Sequence, residues 1–214
     1  MRTDRRRLWI SLVLLVLPLI LSLSARADGT YRWDIVHISS FSPVTASPGG
    51  FASALASDGS KITVTGNGTF DPQEPDEVTG GGTWMTIAPD GTTVTGSGTY
   101  SVQALIRFTV APGVQTAGFI DNIVPSAPGD LTDLRSGLLL MRIAYSDGSK
   151  GVLIVSCHLN GGPDFVTRPA SPASIFEGIT ASKGYVDYWN RVPPIGAPTP
   201  MDGNRTLFHI LSQD

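Results

Sequence analysis

The densest supply of ionisable and hydrogen-bonding side chains lies in the stretch EGITASKGYVDYWNR, residues 177–191. It carries Glu177, Lys183, Tyr185, Asp187, Tyr188, Trp189, Asn190 and Arg191. A pair of carboxylates across a substrate suits general acid–base or glycoside chemistry, in which one carboxyl gives up a proton and the other activates water or attacks. Folded as a hairpin about the loop Ser182-Lys183-Gly184, the stretch pairs Ala181 with Tyr185 and sets Gly178 near Tyr188. Glu177 and Asp187 then lie diagonally on one face, and they are the catalytic candidates of an extracellular enzyme. The same residues also describe an ordinary polar, aromatic-rich hairpin closing a barrel. A helix fits the spacing of Ile175, Ile179 and Val186, but two glycines, β-branched residues and three aromatics favour strands.

Cys157-His158 invites a nucleophile-and-base reading that strand geometry refuses, because adjacent strand residues point to opposite faces. Cys157 shares its face with Leu153 and Val155 and reads as a buried, inert thiol. His37 and His209 sit in apolar runs without metal-ligand spacing, so neither a metal nor a cofactor is expected. The chain has no Gly-x-Ser-x-Gly elbow, phosphate loop, His-Glu-x-x-His or calcium loop. The balance leans away from catalysis and towards binding, with Trp84, Tyr100, Tyr185 and Trp189 as candidate contacts for a small apolar ligand or a carbohydrate.

Two of those aromatics close copies of one pattern: VTGNGTF from Val64, VTGGGTW from Val78 and VTGSGTY from Val94. From Val94 to Val110 the chain alternates, with Gly96, Gly98, Tyr100, Val102, Ile106 and Phe108 on one parity and Thr95, Thr99, Gln103, Leu105 and Arg107 on the other. Such alternation predicts a strand with one buried and one wet face, the paired glycines lying on the buried one.

Keeping apolar faces together also predicts registers. A three-residue loop Ser146-Asp147-Gly148 pairs Tyr145 with Ser149, Ile143 with Gly151, Met141 with Leu153 and Leu139 with Val155. The identical SDGSK from Ser57 reads the same way. Applied to Pro89-Asp90-Gly91, the rule sets Trp84 opposite Gly96, Gly82 opposite Gly98 and Tyr100 opposite Gly80. The strand before it would bring Trp84 near Gly66 and Phe70 near Gly80. Each aromatic would cover a glycine of the neighbouring strand, a device of sharply bent sheets.

Turn signals such as Asp58-Gly59, Asp90-Gly91 and Asp147-Gly148 recur between β-branched runs, and straight-chain helix formers are scarce. This predicts an all-β chain, an antiparallel up-and-down barrel with a β-sandwich as alternative. Proline-rich stretches at 111–136, 160–174 and 193–200 read as loops, with a last strand at Thr206 to Leu211. A barrel of about eight strands is just wide enough to hold one small ligand.

The N-terminus joins four arginines, an apolar run from Leu8 to Ile20 and small residues ending in Ala25 and Ala27. That is a secretory signal cleaved after Ala27, leaving residues 28–214 as a single domain in the periplasm or outside the cell, with no membrane span remaining. Removal takes five of the 15 basic and one of the 18 acidic residues, so 10 basic and 17 acidic remain, a net charge of −7. No basic cluster follows Arg7, which argues against nucleic acid as a partner. The lone Cys157 excludes an intrachain disulfide.

Through VTGGGTW, IAYSDGSKGVLIVSCHL and EGITASKGYVDYW, the mature chain resembles a set of secreted bacterial β-rich proteins of unknown function. The resemblance implies export and one compact domain, and brings no activity. In architecture the chain is similar to small barrels of the dirigent and allene oxide cyclase kind, without their site motifs. Three readings follow: a non-catalytic ligand-binding barrel, an enzyme built on Glu177 and Asp187, or an envelope structural or interaction protein.

Overall fold

A computed structural model describes residues 29–111, 113, 118–123, 131–159, 177–192 and 202–211. The expected signal segment with its cleavage at Ala27 and the expected loops at 160–174 and 193–200 lie outside these residues. The strands in chain order are β1 (Tyr31–Phe41), β2 (Val44–Pro48), β3 (Ala52–Leu55), β4 (Lys61–Val64), β5 (Asn67–Phe70), β6 (Gly81–Ile87), β7 (Val94–Ala111), β8 (Phe119–Asp121), β9 (Leu134–Tyr145), β10 (Lys150–Cys157), β11 (Gly178–Lys183), β12 (Val186–Tyr188), β13 (Asn190–Arg191) and β14 (Asp202–Ile210). The last strand therefore begins four residues before Thr206.

Six of these strands form a closed antiparallel barrel in the order β1-β5-β6-β7-β9-β14, and β14 returns to β1. The remaining strands bond outside the ring. β10, β11 and β12 extend from β9, while β4, β3 and β13 extend from β6. One edge of β6 serves two strands: Val64 of β4 pairs with Trp84, and Asn67 of β5 pairs with Gly81. The chain bends between them at Gly66, whose φ of 155° belongs to glycine territory.

Two hairpins adopt the expected register. Ile143 pairs with Gly151, Met141 with Leu153 and Leu139 with Val155, and the Tyr145 N–H donates to the Ser149 carbonyl at 2.9 Å. At the first SDGSK the Ala56 N–H likewise donates to Ser60 at 2.8 Å. Gly59 and Gly148 have φ of 87° and 86°, the left-handed position that closes each three-residue loop.

Three expectations are corrected. Across β6 and β7, Trp84 pairs with Gly98 and Gly82 with Tyr100, two residues from the expected register. The loop is longer because the Ala88 N–H reaches the Thr93 carbonyl and Asp90 Oδ1 accepts from the amides of both Thr92 and Thr93. A shift of two preserves parity, so Trp84 still covers glycine: a Cβ on Gly96 would meet its ring at 3.1 Å, and one on Gly98 would meet Nε1 at 3.0 Å. Gly66, however, lies under Tyr100 and Trp33, not Trp84, and Gly80 is covered by the backbone of Asn67 and Gly68, not by Phe70.

Second, β7 does not alternate throughout. Its pairing with β9 shifts between Val102 and Ala104 and again between Leu105 and Arg107. These irregularities turn Leu105 inward and leave Ile106 49% exposed. Third, the β11–β12 hairpin pairs Lys183 with Val186, Ser182 with Asp187 and Ala181 with Tyr188. Its turn is Gly184-Tyr185, an odd displacement from the expected register, and every side chain of β12 changes face.

Candidate functional site

Trp84 and Tyr100 are buried and pack against their neighbours on one side of the sheet. Trp84 meets Tyr145 edge to face at 5.7 Å, Tyr100 lies 6.3 Å from Tyr145, and the Lys183 ammonium sits 4.2 Å above the Trp84 ring. The polar atoms of these rings are all occupied: Trp84 Nε1 donates to the Thr99 carbonyl at 3.1 Å, Tyr100 Oη to Thr65 at 2.7 Å and Tyr145 Oη to Ser182 at 2.8 Å. Burial pushes the Tyr145 hydroxyl well above the usual phenol range. Lys183 is held by Asp147, whose carboxyl that bond lowers to about 2. Tyr185 and Trp189 are elsewhere, exposed on the hairpin and the edge of β13.

The structure does not bring the candidate carboxylates together. Glu177 is buried, accepting from Arg205 Nη1 at 3.0 Å and from the Thr206 amide at 3.1 Å. Burial raises its carboxyl, with Arg205 opposing. Asp187 is exposed, and the register places it on the opposite face of the hairpin. Cys157 is fully buried and its thiol is pushed well up, chiefly by that burial.

A second polar cluster lies between β1, β8 and β14. Arg32 forks onto Asp34 at 2.8 and 2.7 Å, and His209 Nε2 meets Asp121 Oδ2 at 2.7 Å, with Asp34, Asp121 and His209 all buried. Arg32 and His209 are register partners, so the cluster ties β8 onto the seam of the barrel. Among the described residues no three His, Cys, Asp or Glu side chains are arranged to hold a metal ion.

A groove of about 760 Å³ runs over the outer face of β3, β4, β6 and β7, lined by Phe51, Ser53, Lys61, Thr63, Thr65, Thr83, Met85, Ile87, Ser97 and Thr99, with Val64, Trp84 and Gly98 at its floor. Registers set the floor plan. Ser53, Thr63, Met85 and Ser97 form one row across four strands, Thr83 and Thr99 pair beyond it, and Leu55, Lys61 and Ile87 form the row at the other end.

No family model, curated protein or solved structure matches this chain.

The groove must therefore be read from its own chemistry. Four of its six hydroxyls bond to each other across strands: Ser53 with Thr63 at 2.8 Å and Thr65 with Thr83 at 2.8 Å, while Thr65 Oγ1 also accepts from the Thr83 amide at 3.0 Å. With most of that polarity engaged, threonine methyls, the Met85 thioether and the Phe51 ring stand beside the hydroxyls of Ser97 and Thr99 to meet a ligand. Phe51 is 37% exposed. Sequence reasoning missed these residues because they have the parity of a solvated face. The signal was Met85, a lone flexible apolar residue between threonines on that parity.

Proposed function

We propose that the protein is a non-catalytic binding module that holds a small, predominantly apolar ligand in the outer groove of β3, β4, β6 and β7. The observation that carries this reading is that four of the six lining hydroxyls bond to each other, which leaves a mainly apolar lining over a groove of about 760 Å³. That volume lies within the range of small-molecule sites. The packing of Trp84 and Tyr100 on Tyr145 supports an external position, and the pairing of Glu177 with Arg205 weighs against the enzyme reading. The secretory signal read at residues 1–27 favours a ligand met outside the cytoplasm.

The test is titration with an environment-sensitive apolar dye. The wild type is expected to give saturable enhancement at one site. Thr83→Arg, an exposed change in the middle of the groove, is expected to abolish it while costing no more stability than the lost bond to Thr65, about 1 kcal/mol. Undiminished dye binding by Thr83→Arg would place the ligand elsewhere.

A further inference from the structure

We propose that the ligand is an amphipathic anion, an apolar body carrying a carboxylate or similar acidic head, and that Lys61 receives the head. The proposal rests on the groove reading above and adds the ligand class. Of the described residues lining the groove, Lys61 alone is charged, and none is a carboxylate. Lys61 forms no ion pair and no side-chain hydrogen bond among the described residues, whereas Lys183, the nearby lysine of the interior side, is held by Asp147.

Position reinforces the charge argument. Lys61 pairs with Leu55 on one side and Ile87 on the other, in the end row of the groove. Its ammonium therefore stands at the margin of apolar surface, where an opposite charge is attracted more strongly than in open water. A lysine acts as a compact point charge, suited to an acidic head without a fixed fork geometry. From its row to the row of Thr65 and Thr83 is four residues of strand, about 13 Å. The intervening surface is Met85, Thr63 and the flanking Phe51, which match an apolar body and offer no second charge. A neutral hydrocarbon leaves the ammonium without a partner, and a cationic amphiphile meets repulsion.

Displacement of the bound dye by decanoate, decanol and decyltrimethylammonium, at fixed ionic strength and neutral pH, tests the assignment. Decanoate is expected to displace at a concentration about tenfold lower than decanol, since one favourable charge contact of ordinary size is worth that factor. Decyltrimethylammonium is expected to be the weakest. Lys61→Gln should erase the advantage of decanoate while leaving decanol unchanged, and Lys61→Arg should retain it. Equal displacement by decanoate and decanol in the wild type, or an unaltered order in Lys61→Gln, overturns the anionic assignment while the groove reading stands. Failure of every compound to displace, or dye binding that survives Thr83→Arg, overturns both.

Discussion

Two adjoining parts of the barrel wall exclude water by opposite means. In one, rings pack on rings: Tyr31 stacks on Phe70 at 5.3 Å, and Phe108 meets Phe70 at 4.8 Å and Phe208 at 5.3 Å. In the other, glycines let backbones touch. A Cβ added to Gly82 would land on the Thr65 carbonyl, one on Gly68 on the Thr79 carbonyl, and one on Gly81 on the Tyr100 carbonyl. Trp33 and Tyr100 roof this seam, and Trp33 joins the two parts by pairing with both Gly68 and Phe208. A ring cluster can repack around a side chain of similar volume, whereas a backbone contact has nothing to give. The seam and the groove meet at β6, where Gly82 adjoins the lining residue Thr83 and lies against Thr65.

The contrast can be broken by comparing additions with removals. Phe208 is fully buried, and Phe208→Ala should cost about 3–5 kcal/mol in a denaturant titration. Gly82→Ala, a single added methyl, should cost about 1–3 kcal/mol by the same measurement. Phe208→Leu, which keeps much of the volume, should cost less than about 1.5 kcal/mol. If Phe208→Leu proves clearly more damaging than Gly82→Ala, the two parts do not differ as described. Tyr100→Phe removes the bond to Thr65 without changing the roof, and a loss of about 1 kcal/mol is expected.

The smallest effect concerns the clasp on the interior side. Asp147 has a carboxyl lowered by hydrogen bonds from Lys183 and Ser149, so its contribution is present above the ordinary value of 3.8 and fades as pH falls towards about 2. Asp147→Asn should flatten the acid limb of a stability–pH curve in that window. An unchanged limb would mean that the clasp contributes nothing measurable.

Most of the fold could be read because its signals are local. In both SDGSK loops the aspartate side chain accepts the amide two residues on, Asp58 from Ser60 and Asp147 from Ser149, and this fixes the loop length. The same residue type at Asp90 accepts one amide further along, which lengthens the loop and slides β7 by two. Nothing local marks that choice. At the β11–β12 hairpin the turn is set by distant partners: Lys183 is drawn to Asp147, and the Gly184 amide donates to the Lys150 carbonyl at 3.0 Å. The resulting odd register separates Glu177 from Asp187, and strand pattern alone could not reveal it. The groove was illegible for a related reason. Ser53, Thr63, Thr65 and Thr83 look like a solvated face until cross-strand registers show their hydroxyls spent on each other.

The central claim is that the ligand lies outside the barrel wall and not within it, and two methionines report on the two sides. Met85 lines the groove, and Met141 is fully buried in the interior. In a methyl-resolved NMR titration of methionine-labelled protein with decanoate, the Met85 signal is predicted to shift saturably while that of Met141 stays in place. A saturable shift of Met141 with Met85 unmoved would contradict the account.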